Sequence, residues 1–187
     1  MTKSELDRIA ASASKDSRDL VTRTDPPRTY HMRIARDGTW FHEGGEIKRI
    51  ELVKLFSTVL KRDAEGKFWL ITPVERGEIE VEDAPFVAVD MDVEGEEDGE
   101  NQRLIFRTNL DHVVEAGPDH PIRVATDDET GEPSPYILIK DGLEALINRA
   151  VFYRLADLAV ERHDEETDAL VWGVWSNQIF FPIGAEL

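Results

Sequence analysis

The sequence predicts an α+β fold in which strands outnumber helices. Short segments rich in β-branched and aromatic residues recur through the middle of the chain, as expected of strands. Two longer segments place apolar residues every three or four positions, which is the helical period. The elements around these two segments follow the same order, which indicates structurally related units. We therefore expect two small units, each a mostly antiparallel sheet with one packed helix, preceded by an N-terminal helical arm.

The helices are predicted from hydrophobic periodicity. The first covers residues 47–62, and the second begins near Leu143, extends to about residue 159 and is expected to be largely buried. In the arm, Ser4 is placed to cap a short helix. The apolar stripe of that helix consists of Leu6, Ile9, Ala10 and Ala13.

The strands are predicted as short segments that are separated by turn residues. They are residues 68–72, 79–81, 86–93, 104–108, 122–125 and 136–139. A final hairpin pairs residues 170–175 with 178–182 and turns at Ser176-Asn177. Carboxylates alternate with Ile79 and Val81, so these two apolar side chains are expected to face inward.

Prolines and changes of composition indicate how the chain is divided. Pro26-Pro27 ends any helix in the arm and marks the entry to the folded body. We therefore place the arm at residues 1–28, the first unit at 29–84 and the second unit at 85–187.

An aromatic strand, a glycine turn, an amphipathic helix and a Trp-bearing strand occur twice in this order. In the first copy, residues 39–42 precede Gly44-Gly45 and the first helix. In the second copy, residues 135–138 precede Asp141-Gly142 and the second helix. The identity between the copies is low, so chance similarity is the alternative to duplication. Duplicated units this small are expected to pack together, and a cleft between them is a natural place for a ligand.

The charge and composition exclude several classes of function. The chain has 39 acidic and 22 basic residues, a formal net charge of −17. A surface this acidic repels phosphate, so we expect no binding to nucleic acid or to anionic membranes. The absence of cysteine excludes disulfides, thiolate metal sites and a cysteine nucleophile. Without a signal peptide or an apolar run of roughly 20 residues, we expect a soluble, cytoplasmic protein.

Two motifs are similar to metal sites, but each lacks an essential part. From Asp90 to Glu94 carboxylates alternate before Gly95, as at the start of a calcium loop, yet the twelfth position is Asn101 rather than a glutamate. The string His42-Glu43-Gly44-Gly45-Glu46 has the letters of a zinc-protease helix, but its glycine pair is incompatible with that helix. We expect no metal. Nucleophile-elbow, dinucleotide-binding and phosphate-loop motifs are also missing, so no cofactor and no catalytic residue are assigned.

One pair of residues in the second predicted helix is suited to binding a planar anion. Arg149 and Tyr153 are four positions apart and share a helix face. A guanidinium presents a planar fork to phosphate or carboxylate, and the ring beside it offers a stacking surface. The alternative is an internal ion pair of Arg149 with Glu144 or Asp83.

Other residues are expected to complete this ligand site. Trp69 and Trp175 border the two helices and supply aromatic surface. Pro73 and Pro85 interrupt strands, which leaves nearby polar side chains free to point away from a sheet, although turn formation alone also explains these prolines. The predicted ligand-binding residues are Arg149, Tyr153, Trp69, Thr72, Glu75, Asp83, Trp175 and Ser176.

A set of short strings is specific in combination. The strings are Leu52-Val-Lys-Leu-Phe56, Phe68-Trp-Leu-Ile-Thr-Pro-Val-Glu75, Val81-Glu-Asp-Ala-Pro-Phe86, Pro135-Tyr136 with Gly142-Leu-Glu-Ala145, Arg149-Ala-Val-Phe-Tyr153, and Val174-Trp-Ser176 with Phe180-Phe-Pro182. Together they resemble the bacterial family known as domain of unknown function 1285, over roughly residues 30–185. The resemblance implies a duplicated core, a second domain superficially like the pleckstrin-homology fold, an interdomain site for a nucleotide-like ligand, and a role in signal transduction.

Three hypotheses about function follow. The first is a non-catalytic protein that binds a nucleotide-like molecule, with Arg149 holding the anion. The second is an acidic scaffold without a small-molecule ligand, which meets a basic protein partner through Glu96, Glu97 and Asp98. The third is a hydrolase or transferase in which Glu75 or Asp83 is the general base.

Overall fold

The computed structural model describes residues 3–13, 28–73, 75–127, 130–163 and 169–185. The chain forms two compact units, Met1–Pro85 and Phe86–Leu187, and the fold is α+β. Within the described ranges, none of the helices is both long enough and apolar enough to cross a membrane. The predicted entry point at Pro26-Pro27 lies outside the described residues.

The first unit contains two helices and one six-stranded sheet. Its elements in chain order are α1 (Lys3–Ala13), β1 (Arg28–Ile34), β2 (Trp40–His42), β3 (Gly45–Glu46), α2 (Ile50–Thr58), β4 (Leu60–Arg62), β5 (Phe68–Ile71) and β6 (Arg76–Val81). The strand order is β3-β2-β1-β6-β5-β4. The central strands β1 and β6 are parallel, and the other neighbours are antiparallel.

One face of the first sheet is buried because its strands alternate apolar and polar side chains. In β1, Tyr30, Met32 and Ile34 are buried, and the residues between them are exposed or half-buried. Helix α2 packs on this face through Phe56, whose ring stacks on Trp40 with centroids 6.2 Å apart. Helix α1 contacts α2 and completes the core.

The second unit contains two sheets and one α-helix. Its elements are β7 (Phe86–Glu94), a 3-10 helix (Glu96–Asn101), β8 (Arg103–Thr108), β9 (Val113–Glu115), β10 (Ile122–Thr126), β11 (Pro133–Lys140), β12 (Leu143–Ile147), α3 (Arg149–Asp157), β13 (Val160–His163), β14 (Leu170–Ser176) and β15 (Ile179–Ala185). The six-stranded sheet has the order β10-β11-β12-β7-β8-β9, and β13-β14-β15 form a three-stranded sheet. Only β12 and β7 are parallel among the paired strands described in this unit.

The two units share a succession of three strands, a helix and three strands, as the predicted duplication requires. This succession is β1-β2-β3-α2-β4-β5-β6 in the first unit and β10-β11-β12-α3-β13-β14-β15 in the second. The turn before the third strand has positive φ at two successive residues in both cases, Glu43-Gly44 and Asp141-Gly142. The buried helix positions also correspond, since Phe56 and Leu155 are each the seventh residue of their helix.

All six predicted strands are present, with ends that differ by up to three residues. The final hairpin is confirmed, but it turns at Asn177-Gln178, one residue later than predicted, because Ser176 still pairs with Ile179. The predicted limits of the helices were wrong. Helix α2 is shorter than residues 47–62, because Leu60–Arg62 already pairs with β5. Ser4 does not precede the first helix, because α1 begins at Lys3.

The start of the second predicted helix was also wrong. Leu143–Ile147 is strand β12, in which Leu143, Ala145 and Ile147 are buried and the residues between them are half-buried. Helix α3 begins only after Asn148, whose side chain accepts a hydrogen bond from the Val151 amide at 2.8 Å. The helix is not largely buried, since only Val151 and Leu155 are fully buried along it.

Candidate functional site

The outer face of the first sheet contains an open groove with a volume of about 830 Å³. This volume lies within the range of roughly 300 to 1,000 Å³ that is usual for small-molecule sites. The groove crosses β2, β1 and β6. It is lined by Thr29, His31, Met32, Arg33, Phe41, Glu43, Gly44, Glu78, Ile79 and Glu80.

Strand alternation explains why these side chains share a face. Because Tyr30, Met32 and Ile34 face the core, His31 and Arg33 face outward. In the ladder, Arg33 lies opposite Phe41 of β2 on one side and Glu80 of β6 on the other. These three residues therefore form a row across the groove.

The centre of that row is a stacked pair. The guanidinium carbon of Arg33 lies 4.4 Å from the centroid of the Phe41 ring, which is a cation–π contact. The same guanidinium donates a hydrogen bond to Glu82, which holds it in place over the ring. The guanidinium therefore covers one face of the Phe41 ring.

Two non-glycine residues with positive φ lie along the groove. His31 has a φ of 46° at an irregularity in the pairing of β1 with β6, and Glu43 has a φ of 49° in the β2–β3 turn. The Glu43 amide donates to the His31 carbonyl oxygen at 3.0 Å, so the two conformations are connected. Positive φ at non-glycine residues costs conformational energy and is enriched at functional sites.

The groove is mainly acidic. Three carboxylates line it, Glu43, Glu78 and Glu80, against one guanidinium from Arg33. Glu78 also pairs with Lys67, whose amine lies 3.6 Å away. A ligand with N–H or O–H donors would be satisfied by these carboxylates, whereas a ligand rich in phosphate would be repelled.

The opposite, buried face of the first sheet has a cluster of polar side chains. Within the described part of the chain, Tyr30 Oη, Trp40 Nε1, His42 Nε2 and Glu75 Oε1 are buried without a hydrogen-bond partner. Buried polar atoms are rarely left unsatisfied, and each such atom costs about 1 to 3 kcal/mol. With four such atoms in the first unit, this face combines apolar packing with buried polar groups that could bind a further partner.

Helix α1 packs directly on this polar cluster. Ser12 Oγ lies 2.9 Å from Thr72 Oγ1, and Arg8 Nε lies 3.5 Å from Glu75 Oε1. Arg28 Nε lies 3.5 Å from the other oxygen of Glu75. Burial raises the pKa of the Tyr30 hydroxyl well above its usual range, and the negative charge of Glu75 raises it further. The Tyr30 hydroxyl is therefore neutral and remains a hydrogen-bond donor.

Four of the predicted ligand residues lie in the first unit. Trp69 Nε1 donates to Asp63 Oδ2 at 2.7 Å, and this hydrogen bond is the main reason that the pKa of Asp63 is lowered. Thr72 and Glu75 are brought together, since the Glu75 amide donates to Thr72 Oγ1 at 3.2 Å. Asp83 pairs with Arg36, whose Nε lies 3.2 Å from Asp83 Oδ2.

Arg149 and Tyr153, which lie in the second unit, are both exposed. The Arg149 side chain is 73% exposed, and its Nη2 donates to Glu132 Oε1 at 2.8 Å. The Arg149 partner is thus Glu132, whereas Glu144, one of the two partners considered from the sequence, pairs with Arg123 at 2.6 Å.

Trp175 and Ser176 lie on β14 and are involved in packing. The Trp175 ring meets Phe180 edge to face at 5.2 Å between centroids. Ser176 is fully buried, and its hydroxyl accepts from the Leu104 amide at 3.0 Å and donates to the Ala116 carbonyl oxygen at 2.8 Å. Both hydrogen-bonding roles of the Ser176 hydroxyl are therefore used within the unit.

Strands β7 and β8 form an antiparallel hairpin that contains the alternating carboxylates from Asp90 to Glu94 and the 3-10 helix at its tip. Asp90 pairs with Arg154 at 2.8 Å, and this hydrogen bond is the main cause of the lowered pKa of Asp90. Glu94 pairs with Arg103 at 2.6 Å. The 3-10 helix at the tip includes Glu96, Glu97 and Asp98, the predicted scaffold residues, whose side chains lie outside the described part of the chain.

The sequence reasoning missed the groove, and none of the eight predicted ligand residues is among its lining residues. Alternation along β1 and β6 was a usable signal for the outward direction of His31, Glu78 and Glu80. The parallel pairing of β1 with β6 could not be predicted from the sequence, because no local turn joins the two strands.

Comparison with known proteins gives one family and two related crystal structures. Residues 21–84 match the family model described as "Domain of unknown function (DUF1285), N-terminal domain". Residues 85–183 match the model described as "Protein of unknown function (DUF1285), C-terminal domain". A DUF1285 family protein from Silicibacter pomeroyi DSS-3 is 46% identical, with 95% of this chain and 94% of that chain covered and a TM-score of 0.79. Another, from Shewanella baltica OS155, is 25% identical, with 67% and 90% covered and a TM-score of 0.52. No curated protein matches the chain.

Proposed function

The chain belongs to the DUF1285 family, and we propose that it is a small-molecule-binding protein without catalytic activity whose ligand is nucleotide-like. The observation that carries this proposal is the groove of about 830 Å³ on the outer face of the first sheet, with the stacked pair of Arg33 and Phe41 at its centre. The same proposal includes a role in signal transduction, in which the ligand-bound form of the protein carries the signal.

The stacked pair supports a flat, nitrogen-rich ring as the ligand. Aromatic rings and guanidinium planes are the surfaces on which nucleobases stack in proteins. Glu80 lies in the same cross-strand row as Arg33, and Glu78 lies two residues before Glu80 on the same face. Carboxylates accept hydrogen bonds from the exocyclic amino groups of a base and from the hydroxyls of a ribose.

The charge of the groove favours the base and sugar over the phosphates. Each added phosphate increases repulsion from Glu43, Glu78 and Glu80 and from a chain whose net charge is −17. We therefore expect affinity to fall from adenosine to AMP to ATP, most steeply at low ionic strength. A site in which Arg149 holds the anion predicts the opposite order.

Isothermal titration calorimetry of the full chain with adenosine, AMP and ATP tests the proposal. Phe41→Ala is expected to weaken adenosine binding about fivefold or more, since base stacking on an aromatic ring contributes about 1 to 3 kcal/mol. Trp172→Ala is the matched control, because Trp172 is an aromatic side chain that is 37% exposed on β14 and does not line the groove. Its affinity should equal that of the parent protein.

Alanine variants distinguish a ligand site in the groove from a site at Arg149 and Tyr153, which the sequence predicts. If Arg149→Ala or Tyr153→Ala weakens binding and Phe41→Ala does not, the ligand depends on α3 and the assignment to the groove is wrong. If none of the three compounds binds the parent protein, the proposal of a nucleotide-like ligand is rejected.

A further inference from the structure

Three side chains with metal-binding atoms meet where α1 crosses the end of β2. They are Glu5 of α1, His42 at the end of β2, and Glu43 in the turn that follows. Their ligand atoms all lie within 4.8 Å of one another. Glu5 could not be grouped with the other two from the sequence alone, because 36 residues separate Glu5 from His42.

His42 supplies an independent sign that something is bound here. Its side chain is only 6% exposed, and Nε2 is buried without a hydrogen-bond partner among the residues that the structure describes. That nitrogen faces Glu5 Oε2 at 3.6 Å, which is too long for a hydrogen bond. An imidazole nitrogen that faces a carboxylate across such a gap is the arrangement that a metal ion would complete.

The distance between His42 and Glu5 and the donor types of all three residues fit a small divalent ion. Zinc binds histidine nitrogen and carboxylate oxygen at about 2.0 to 2.2 Å, so two ligands in a tetrahedral site lie about 3.4 Å apart. The separation of 3.6 Å between His42 Nε2 and Glu5 Oε2 is close to this value. One imidazole with two carboxylates suits first-row divalent ions better than calcium, which prefers six to eight oxygen ligands.

We propose that Glu5, His42 and Glu43 form a binding site for a divalent first-row transition metal ion of the zinc type. Glu43 is exposed, so it closes the site from the solvent side, and water occupies the remaining coordination position. The other carboxylate oxygen of Glu5 lies 3.7 Å from Arg8 Nη2, which orients the carboxylate with Oε2 toward His42. The glycine pair after Glu43 rules out a zinc motif in which all ligands lie on one helix. It does not rule out this site, because here Glu5 of α1 supplies the further ligand.

The site would join the arm to the sheet. Glu5 belongs to α1, whereas His42 and Glu43 belong to the strand and turn beneath it, so an ion coordinated by all three holds α1 in place. An ion that binds only this arrangement shifts the equilibrium toward docked α1 by mass action. Metal binding is thus expected to protect the α1 amides from hydrogen exchange.

Zinc titration of tag-free protein, after treatment with a chelator, tests the proposal by competition with a chromophoric zinc indicator. The parent protein is expected to bind one ion per chain, and Glu5→Gln is expected to weaken binding at least about tenfold, the scale that even outer-shell changes produce. Glu5→Gln retains the shape of a half-exposed side chain, so it is the variant least likely to disturb folding. His42→Ala is the second variant, with circular dichroism as its check on folding.

Two controls decide between this site and nonspecific binding. Glu51→Gln and His163→Ala remove an exposed carboxylate of α2 and an exposed imidazole of β13, and neither should change the zinc affinity. Hydrogen exchange of α1 should slow on adding zinc to the parent protein and not on adding it to Glu5→Gln. Unchanged affinity in Glu5→Gln, no stoichiometric binding by the parent, or equal exchange in both proteins would overturn the proposal.

This inference does not depend on the nucleotide-like ligand. Glu43 contributes to both sites, so the tests use Glu5 for the metal and Phe41 for the ligand. Loss of adenosine binding in Phe41→Ala with unchanged zinc affinity would support both proposals separately.

Discussion

The aromatic ring of Tyr30 lies directly on Gly77 of β6, the residue that pairs with Arg28 of the neighbouring strand β1. A methyl group at Gly77 would come within 2.4 Å of Tyr30 Cδ2, far closer than two carbon atoms approach without a clash. Tyr30 lies on β1, faces the core and is only 1% exposed, so its ring has little room to move. Glycine at position 77 thus permits the ring to cover the central parallel strand pair.

We expect Gly77→Ala to lower the free energy of unfolding by about 1 to 3 kcal/mol, because an added carbon overpacks a well-filled site. Gly184→Ala is the control, since apart from Gly184 and its two neighbours in the chain no atom of the described residues lies within 4 Å of the position that its methyl group would take. Urea denaturation of both variants measures the difference. Equal stability of Gly77→Ala and the parent protein would show that Tyr30 moves freely away from β6.

The two corresponding helices differ at their N-termini, which gives a paired prediction. Asn148 caps α3 by accepting from the Val151 amide, whereas Arg49 at the same position of α2 makes no capping hydrogen bond with its side chain. Asn148→Ala should lower the free energy of unfolding by about 1 kcal/mol, since the Val151 amide loses its partner. Arg49→Ala should change it little, because its contact with Asp7 at 3.6 Å is an exposed ion pair. A similar loss in both variants, measured by urea denaturation, would contradict the capping role of Asn148.

The sequence predicts most strands well, and its failure at β12 has a specific cause. Leu143, Leu146 and Ile147 satisfy the helical spacing, while Leu143, Ala145 and Ile147 also satisfy strand alternation. Tertiary pairing decides between the two, since β12 lies between β11 and β7. The usable local signal was Asn148, because asparagine favours the position before a helix.

The candidate sites were harder to predict than the fold, because each joins residues that are distant in the sequence. Arg33 meets Glu80 only through the parallel pairing of β1 with β6. The motif around His42 was judged incompatible with a metal site because of its glycine pair, and Glu5 comes from a separate helix. Periodicity predicts which face a side chain occupies and does not predict which other element will contact that face.

The pKa of Glu115 predicts a stability difference that depends on pH. A hydrogen bond from Arg103, followed by one from Asn177, lowers this pKa from its ordinary value of 4.5 to about 2. The lowered pKa stabilises the folded state fully above about pH 4.5, and this contribution is lost as the pH falls through about 2. Glu115→Gln should therefore lower the free energy of unfolding at pH 7 by less than about 1 kcal/mol, since the pair is near the surface.

Urea denaturation between pH 7 and pH 2 checks this prediction. The difference between Glu115→Gln and the parent protein should shrink below pH 4.5 and approach zero near pH 2. Glu161→Gln, on the exposed strand β13, provides the comparison for a general effect of removing one negative charge. A constant difference across the whole pH range would mean that the titration of Glu115 does not contribute.

Ser176 is predicted to stabilise the second unit through its buried hydroxyl. Ser176→Ala removes the acceptor of the Leu104 amide and the donor to the Ala116 carbonyl oxygen, which leaves two buried backbone groups without these partners. We expect a loss of about 1 to 3 kcal/mol, observed as a lower Tm in calorimetry. Thr58→Ala is the control, because its exposed hydroxyl donates only to Leu55 one turn earlier in α2, among the contacts that the structure describes. An unchanged Tm together with altered adenosine binding in Ser176→Ala would instead identify Ser176 as a ligand residue.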